Sequence, residues 1–548
     1  MKNQSNKKIL DIFSSIANEE RWEENSLNKI LRKYKKDDGT LFRNDELVRY
    51  FKELSKSQLI PDEKKVKERI RLRPTRSNSG VSVVTVLTKP FPCPGNCIYC
   101  PNDPLMPKSY ISSEPGAQRA LASKFDPYAQ VFNRLVALNN VGHNIEKVEL
   151  LILGGTWSAY PESYQIWFVN ECFRAMNDMT EDITEYVTPQ ENSYTETDWD
   201  ILEHSHTINE KAYCRNVGLV LETRPDYVSD EEVLRMRRLG ATKIQLGIQS
   251  LDDEILRLNG IGRTVEDTQK AFALLRRAGF KIHGHWMPNL YGSAVEKDIN
   301  DYKLLWSDRF SPDELKIYPT SVIPNTALHT LYKEKKYIPY TEGELINVLC
   351  KTIPSTPRYC RLSRIIRDIP SEEIVAGNKR TNLRQIVEDR LREKGIKIQD
   401  IRSREIRGQE IILSEIEEEE IKYNTTVSTE YFLSYRSKKD DRLCGFLRLS
   451  IPKKEYINDN FVRELNDNSI IREIHVYGKV VGIDENTEGA SQHLGLGRRL
   501  VSRAEEITKK EGIQKISVIS AIGTREYYRK LGYEINGMYM TKLFISEH

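Results

Sequence analysis

The sequence has few cysteines and no long apolar segment, and both absences narrow what the chain can be. Eight cysteines among 548 residues are too few for a small fold stapled by disulfides. No window approaches the ~18 uncharged apolar residues of a membrane span, and the N-terminus reaches Glu19 and Glu20 before any apolar core typical of a secretory signal. The net charge of +3 identifies no partner. The sequence therefore predicts a folded cytoplasmic protein of several domains.

Periodicity and charge divide the chain into four parts. Residues 1–75 are predicted to form a helical region, in which 19 Lys and Arg against 13 Asp and Glu suit either a polyanion or a solvated helical face. Residues 76–330 alternate β-rich runs with helical segments, which predicts an α/β fold with a parallel sheet curled into a full or partial βα barrel. Residues 331–412 are predicted to form a basic connector. The acidic run 415–422 then marks a domain boundary, because like charges in a row resist packing. Residues 413–548 predict a small α+β domain.

Six strands are predicted in the barrel region, and one helix there has a clear start signal. The strands are expected at 81–87, 148–155, 217–223, 243–250, 281–287 and 314–319. Thr264 can cap the helix that follows it, with Asp267 three residues later. Functional residues on such a scaffold belong at the carboxyl ends of the strands.

Three cysteines lie within eight residues, directly after the first predicted strand. Cys93, Cys97 and Cys100 have CxxxCxxC spacing, and three thiolates on one tight loop can hold three irons of a [4Fe-4S] cluster while the fourth iron stays open for an outside ligand. Zinc is the competing interpretation, but it normally needs a fourth protein ligand, and no further His or Cys occurs before His143. Chance clustering in a loop with Pro and Gly is the remaining alternative.

This spacing on this fold resembles the radical S-adenosylmethionine (SAM) enzymes. The resemblance implies that the methionine part of SAM binds the open iron and that an electron from the cluster cleaves SAM to a 5′-deoxyadenosyl radical. Gly154 and Gly155 end the second predicted strand, where radical SAM proteins bring a glycine pair to the methionine amino group; a tight turn alone also favours such a pair. Glu222 and Gln249, at the next two strand ends, are candidate ligands of the SAM ribose or amine.

A second motif lies in the last domain, in QHLGLGRRL. Gln492, Gly495 and Gly497 open an amphipathic helix after a strand, so that free backbone amides and the positive end of the helix dipole face a phosphate. The pattern resembles the coenzyme A pyrophosphate site of GNAT acetyltransferases, and a plain helix-start turn is the alternative. Tyr527 or Tyr528 is then expected near the thioester, with core packing as the alternative for this pair.

The two halves in this order resemble the family of Elongator catalytic subunits, from about residue 65 to the C-terminus. The likeness is carried by many segments in one order, among them NCIYCP, SSEPGAQRA, ILGGT, ETRPD, RDIPS, REIHVYG, QHLGLG and TREYYRKLGY. The resemblance implies a tRNA-modifying enzyme. In this family the adenosyl radical takes a hydrogen from the methyl of acetyl-CoA, the carbon radical adds to C5 of the wobble uridine, and thioester hydrolysis leaves 5-carboxymethyluridine.

The family resemblance also implies partners and site residues. The basic stretches and the helical region 1–75 would bind the phosphates of the tRNA anticodon stem-loop in a salt-dependent way, with the target base out of its stack. A homodimer or partner subunits are compatible with the sequence. Contacts to acetyl-CoA would fall on Lys147, Glu473, Ile474, His475, Val476, Leu496, Gly497, Arg498 and Tyr528. Tyr528 would join the three cysteines as a catalytic residue. Some members hold a structural zinc on linker cysteines that this chain lacks, so we predict no zinc, with Asp400 and Arg402 among the residues in its place.

Two other functions stay open from the sequence. A protein lysine acetyltransferase, with the radical domain as a structural module, needs a general base near the thioester, for which Glu473 is the candidate. A noncatalytic tRNA-binding scaffold suits the basic stretches but leaves the cysteine loop unexplained.

Overall fold

The computed structural model describes residues 2–23, 25–36, 39–55, 59–71, 80–191, 194–406, 413–477 and 495–544. The predicted helical N-terminal region is confirmed. It contains α1 (Lys2–Asn18), α2 (Ser26–Lys33), α3 (Asn44–Ser55) and α4 (Glu63–Ile70), which pack around their own apolar cluster. The predicted boundary at residue 75 lies outside the described residues. None of the helices in the described ranges is long and apolar enough to span a membrane.

The central domain is an open barrel of seven parallel strands that follow one another in chain order. They are β1 (Ser82–Leu87), β2 (Lys147–Leu153), β3 (Arg215–Thr223), β4 (Lys243–Gln249), β5 (Lys281–Trp286), β6 (Glu314–Ile317) and β7 (Arg361–Arg364). The six predicted strands are confirmed. The seventh comes from the segment interpreted as a connector, where the short polar run RLSR gives no apolar alternation. Because all seven strands run the same way, their carboxyl ends form one rim.

Helices occupy the segments between and after these strands. They are α5 (Pro115–Ala122), α6 (Pro127–Asn140), α7 (Glu162–Asn177), α8 (Trp199–Asn209), α9 (Asp230–Arg238), α10 (Asp253–Leu258), α11 (Val265–Arg277), α12 (Val295–Leu304), α13 (Ala327–Lys333), α14 (Glu342–Thr352), α15 (Leu383–Glu393) and α16 (Ile401–Arg404). Among them, α6, α7 and α11 pack on β1, β3 and β5. The predicted cap of α11 is confirmed, since Thr264 and Asp267 form a reciprocal capping box.

Over residues 413–477 and 495–544, the C-terminal domain contains a second seven-stranded sheet and two α-helices. Its elements are β8 (Ile416–Asn424), β9 (Ser428–Ser437), β10 (Leu443–Pro452), β11 (Asn468–Val476), α17 (Leu496–Lys510), β12 (Lys515–Val518), α18 (Arg525–Arg529), β13 (Glu534–Asn536) and β14 (Tyr539–Leu543). Strands β11 and β12 are parallel and pair only over Asn468–Ile471, whereas β11 continues to Val476 alongside β10. The far half of β11 therefore separates from β12 and leaves a gap between these strands.

The acidic run 415–422 packs as part of a strand, and the prediction that its like charges resist packing was wrong. It forms β8, paired with β9. Its glutamates find cations on neighbouring elements: Glu417 lies 2.9 Å from Arg436 Nη2, and Glu418 lies 3.2 Å from Arg503 Nε. Like charges within one strand are tolerated here because each carboxylate has an opposite charge beside it.

The C-terminal domain packs against the amino ends of the barrel strands. One apolar cluster includes residues of both domains, such as Leu315 from β6 and Phe446 from β10. Arg237 Nη2 donates to the Ser520 carbonyl at 2.8 Å, and Lys281, the first residue of β5, pairs with Glu473 on β11. The two domains thus share a core, and the separated half of β11 faces the opening at the amino ends of the barrel strands.

Candidate active site

The cysteine loop lies on the carboxyl rim of the barrel, directly after β1. Cys93, Cys97 and Cys100 are unpaired, half-buried, and line one cavity of about 690 Å³. The loop is anchored from below, since Ile98 N donates to the Asn259 carbonyl at 3.1 Å. A Cβ on Gly95 would meet the Arg224 guanidinium, so a larger residue here would have to displace that side chain.

The donor set fits a [4Fe-4S] cluster. Burial raises the pKa of the Cys100 thiol to about 12 and also raises the pKa of Cys97, so a strong positive charge is needed to hold these groups as thiolates. Within the described ranges, no three His, Cys, Asp or Glu side chains lie close enough together to bind one metal ion. A [4Fe-4S] cluster does not need three ligands around one metal ion, because each of its irons binds a different thiolate.

The two glycines after β2 lie in different surroundings: Gly154 packs against β1, and Gly155 faces the cavity. Gly154 has φ +131°, and a Cβ there would collide with the Thr88 hydroxyl. Gly155 has φ +53°, lines the cavity, and has no atom nearer to a built Cβ than the Tyr160 hydroxyl at 3.9 Å. Only Gly155 therefore offers open backbone to a ligand.

Glu222 and Gln249 also line this cavity, as predicted from their strand ends. Burial raises the pKa of Glu222, against the opposing effect of the Lys316 ammonium. Gln249 is held at φ +57°, and its Oε1 accepts from the Arg263 guanidinium. Arg224, nearby, forms a bidentate pair with Asp226 at 3.0 and 2.8 Å.

Several further cavity residues were missed by the sequence reasoning. Lys316 and His285 project inward from β6 and β5, and both meet Gln245 Oε1, His285 Nε2 at 2.8 Å. Burial lowers the pKa of Lys316 to about 8. The sequence signal that could have identified Lys316 and His285 is a polar residue at alternate positions of a strand covered on both faces. A charged side chain in such a strand needs a partner or a ligand.

The second set of predicted residues meets at the separated half of β11. Ile474 and Val476 lie beside the start of α17, each 3.8 Å from a Cβ built on Gly497. That Cβ would lie only 2.8 Å from the Tyr527 hydroxyl. Gly495 begins the helix at φ +69°. The structure thus brings together the strand, the glycine turn and Tyr527.

The remaining predicted residues lie around this point in different settings. Leu496 is buried, Arg498 is exposed, and Gln492 lies outside the described residues. Tyr528 is 5% exposed and packs in the apolar core of the domain, where burial raises its pKa well above the usual value. Lys147 begins β2 and pairs in register with Arg215, whose Cβ lies against Gly523 of the C-terminal domain.

Glu473 and His475 face the barrel from β11. Glu473 accepts from Arg448 Nε at 2.8 Å and pairs with Lys281, whose ammonium, with Arg448, lowers the pKa of this carboxyl despite its burial. His475 packs 4.4 Å from the Tyr477 ring, and burial lowers its pKa to about 4. Glu473 is therefore held ionised by two cations and is a poor general base.

Comparisons with known proteins agree with this geometry. The sequence matches the Radical SAM superfamily over residues 92–297 and the Radical_SAM C-terminal domain over residues 312–393. It is 40% identical to a tRNA uridine(34) acetyltransferase of Methanocaldococcus infernus over 515 residues, 91% of each chain. It is 36% identical to Elongator complex protein 3 of Schizosaccharomyces pombe over 506 residues, 88% of this chain and 89% of the other.

A solved structure extends the likeness to three dimensions. The archaeal Methanocaldococcus infernus Elp3 with an N-terminal deletion has a TM-score of 0.70 and 37% identity, covering 85% of this chain and all of that one. The chain therefore belongs to the family of tRNA uridine(34) acetyltransferases and Elongator complex protein 3, within the radical SAM superfamily.

Proposed function

We propose that this protein modifies the wobble uridine of tRNA and installs a carboxymethyl group at C5 with the help of SAM and acetyl-CoA. The observation that carries the proposal is a single cavity that three cluster-type cysteines share with a rim of cations. Arg119, Arg364 and Arg367 line it beside β1 and β7, the two edge strands of the sheet. A cationic rim attracts the phosphates of a polynucleotide and would hold the anticodon loop over the thiols.

Cys93, Cys97 and Cys100 would hold a [4Fe-4S] cluster, which supplies one electron for the reductive cleavage of SAM when it is bound. Gly155 offers backbone to the methionine end of SAM. Glu222 and Gln249 face the same cavity and would orient its ribose or amine. Lys316, beside Glu222, balances the charge of that buried carboxylate.

Acetyl-CoA is proposed to bind where β11 separates from β12. The amides at the start of α17 would bind the pyrophosphate, and β11 from Glu473 to Val476 would pair with the pantetheine arm. Tyr527 supports this assignment better than Tyr528, because its hydroxyl reaches Gly497 while Tyr528 packs in the core. Lys147 stands at the barrel edge nearest the C-terminal domain.

The absence of zinc from the linker stays a prediction, and Asp400 is the residue proposed to take its place. Asp400 Oδ2 accepts from Leu362 N and Arg402 N, each at 3.0 Å, and thereby ties the linker to β7. A carboxylate with two amide donors can fix a turn without a metal.

The four-part division of the chain, the cytoplasmic location and the homodimer or partner subunits stay predictions. All eight cysteines are unpaired, which suits a reducing compartment.

A protein lysine acetyltransferase is not favoured. Its candidate base, Glu473, is paired with Arg448 and Lys281 and points into the domain interface instead of a peptide groove. The homologues carry the name of a tRNA uridine enzyme.

The test compares Cys97→Ala with Cys350→Ala, a half-buried cysteine on α14 remote from the cavity. Anaerobically reconstituted wild type and Cys350→Ala should bind iron, form 5′-deoxyadenosine from SAM, and yield 5-carboxymethyluridine in nucleoside mass spectrometry of tRNA. Cys97→Ala should lose all three and keep CoA binding by calorimetry. If Cys97→Ala still carboxymethylated tRNA, the radical assignment would be wrong.

A further inference from the structure

A second, smaller cavity, the side pocket, lies beside the cysteine loop on the carboxyl rim of the barrel. It has a volume of about 80 Å³ and is lined by residues that follow β5, β6 and β7, within segments 318–323, 366–369 and 374–381. Four residues line both this pocket and the cavity of about 690 Å³ that the cysteines line: Tyr99, Met287, Tyr318 and Arg367. The side pocket therefore opens into that cavity.

Backbone contacts fix the outer wall of the side pocket. Val322 N donates to the Ala376 carbonyl at 2.9 Å, which joins the segment 374–381 to the residues after β6. Gly377 has φ +106°, and a Cβ built there would lie 3.1 Å from the Thr320 carbonyl oxygen. Glycine is the residue that tolerates both this φ and this close approach. The side pocket is therefore built into the fold.

The side pocket and the proposed SAM residues occupy different parts of the rim. The SAM residues lie at the ends of β2, β3 and β4, whereas the pocket lies beyond the ends of β5, β6 and β7. The cysteine loop adjoins both, because Tyr99 of the pocket wall comes between Cys97 and Cys100. A ligand in the side pocket can therefore lie next to the cysteine loop while the SAM residues stay free.

The wall between the side pocket and the larger cavity is aromatic. The Tyr318 ring packs edge-to-face on His285, with 5.6 Å between the ring centres, and Lys316 Nζ lies 5.8 Å from the centre of the Tyr318 ring. Tyr99 contributes the second ring, and Ile366 adds an apolar side chain. Nucleic-acid bases stack on such rings whatever their sequence, because every base has a flat aromatic face. The wall therefore suits a nucleobase.

The outer edge of the side pocket is polar and cationic. Lys379 and Arg380 are exposed side chains of its wall, and Ser321 and Thr381 add hydroxyl groups. Asn378 fixes this turn, since its Oδ1 accepts from Arg380 N and its Nδ2 donates to the Arg380 carbonyl, each at 3.2 Å. Cations beside aromatic rings bind single-stranded nucleic acid, with the phosphates on the charges and the bases on the rings.

We propose that the side pocket receives the wobble uracil after this base leaves its stack in the anticodon loop. This inference rests on the proposed function. The pocket has room for roughly six water molecules at about 10–15 Å³ each, which is close to the space of one pyrimidine ring. The uracil lies against Tyr318 and Tyr99, Ser321 bonds to its polar edge, and Lys379 and Arg380 bind the neighbouring phosphates. Its C5 then faces the cavity that the three cysteines line.

Photocrosslinking tests the position of the base directly. An anticodon stem-loop RNA with 4-thiouridine at the wobble position is irradiated with the reconstituted protein, and peptide mass spectrometry locates the adduct. We expect adducts within segments 318–323 and 374–381. The same label moved into the stem of the RNA should give none there. Adducts confined to α5 or to the ends of β2, β3 and β4 would overturn the proposal.

Paired variants of Tyr318 test the stacking contact. We expect Tyr318→Leu to lower the yield of 5-carboxymethyluridine in tRNA at least about fivefold, the loss that one stacked base brings, and Tyr318→Phe to stay within about twofold of the wild type. Iron content and CoA affinity should be unchanged in both variants, which a general loss of structure would not allow. Equal yields in Tyr318→Leu and Tyr318→Phe would refute stacking on this ring and with it the proposal.

A third variant fills the side pocket. We expect Ser321→Trp to lower the crosslink to the segment 374–381 and the yield of 5-carboxymethyluridine at least about tenfold, while the RNA still binds through its phosphates. Thr207→Trp, exposed on α8, is the control. Undiminished crosslinking and modification in Ser321→Trp would overturn the proposal. A wild type that forms no 5-carboxymethyluridine would refute the proposed function, and the crosslink to the wild type then still decides whether the pocket takes this base.

Discussion

Asp313→Ala is expected to loosen the barrel from the C-terminal domain. Asp313 precedes β6 and is wholly buried. Its carboxylate accepts from both Nη atoms of Arg472 at 2.7 Å, and from Ile282 N at 2.9 Å. Arg448 Nη1 lies 3.5 Å away. The substitution removes one carboxylate from the interface and leaves the buried guanidinium groups of Arg472 and Arg448 facing the space that the carboxylate occupied.

The expected loss of stability is set by that uncompensated charge. Removing one partner of a buried ion pair typically costs about 3–5 kcal/mol. Arg472 retains Glu430 at 2.7 Å, and Arg448 retains Glu473 at 2.8 Å, so we expect the lower end of this range. The two guanidinium groups hold the pKa of Asp313 far below its usual value. This contribution is therefore complete above the unfolded pKa of about 4, and the cost should be the same at pH 6 and pH 8.

Urea unfolding can follow the two domains separately. All six tryptophans precede residue 307, so their fluorescence reports the N-terminal region and the barrel, whereas far-UV circular dichroism reports the whole chain. The wild type should unfold with both signals together. In Asp313→Ala the midpoint should fall by about 1 M, for a slope of about 3 kcal/mol/M, and the two signals should separate.

Two further variants make the result decisive. Asp313→Asn keeps the size of the side chain and should behave like Asp313→Ala, while Glu254→Ala, which removes an exposed carboxylate paired with Arg257, should leave both signals unchanged. Wild-type midpoints in both Asp313 variants would refute the view that this ion network holds the domains together.

Two other measurements test the cofactor turn and the acid sensitivity. Gly497→Ala places a methyl 2.8 Å from the Tyr527 hydroxyl and should weaken CoA binding at least about tenfold in calorimetry, whereas Gly343→Ala, with no atom nearer than 4.0 Å, should not; equal affinities would contradict the placement of the site. Burial lowers the pKa of His206 to about 3, so below pH 6.5 this imidazole takes up a proton only in the unfolded chain. The free energy of unfolding of the wild type should therefore fall by about 2 kcal/mol between pH 7.5 and pH 5, and this part of the fall should be absent in His206→Leu. His204→Leu, on the exposed side of α8, is the control, and an identical pH dependence in His206→Leu and wild type would refute the assignment.

Features carried by neighbouring residues were predictable from the sequence. The spacing of the three cysteines, the capping box of α11 and the glycine turn before α17 each depend on a few adjacent positions. The six predicted barrel strands were predictable because β-branched and other apolar residues recur along them between helical segments. Strand β7 was missed because four mostly polar residues carry no such pattern. Strand β8 was misjudged because the cations opposite its glutamates come from distant segments.

The sequence by itself determined that three cysteines lie together on one short loop after β1, since the CxxxCxxC spacing of Cys93, Cys97 and Cys100 depends only on neighbouring residues. Only the tertiary structure decided which polar side chains meet inside the barrel, because Glu222, His285 and Lys316 come from separate strands whose register fixes their contact. It also distinguished Tyr527 from Tyr528. Adjacent helical residues point about 100° apart, and only packing decides which ring faces Gly497 and which enters the core.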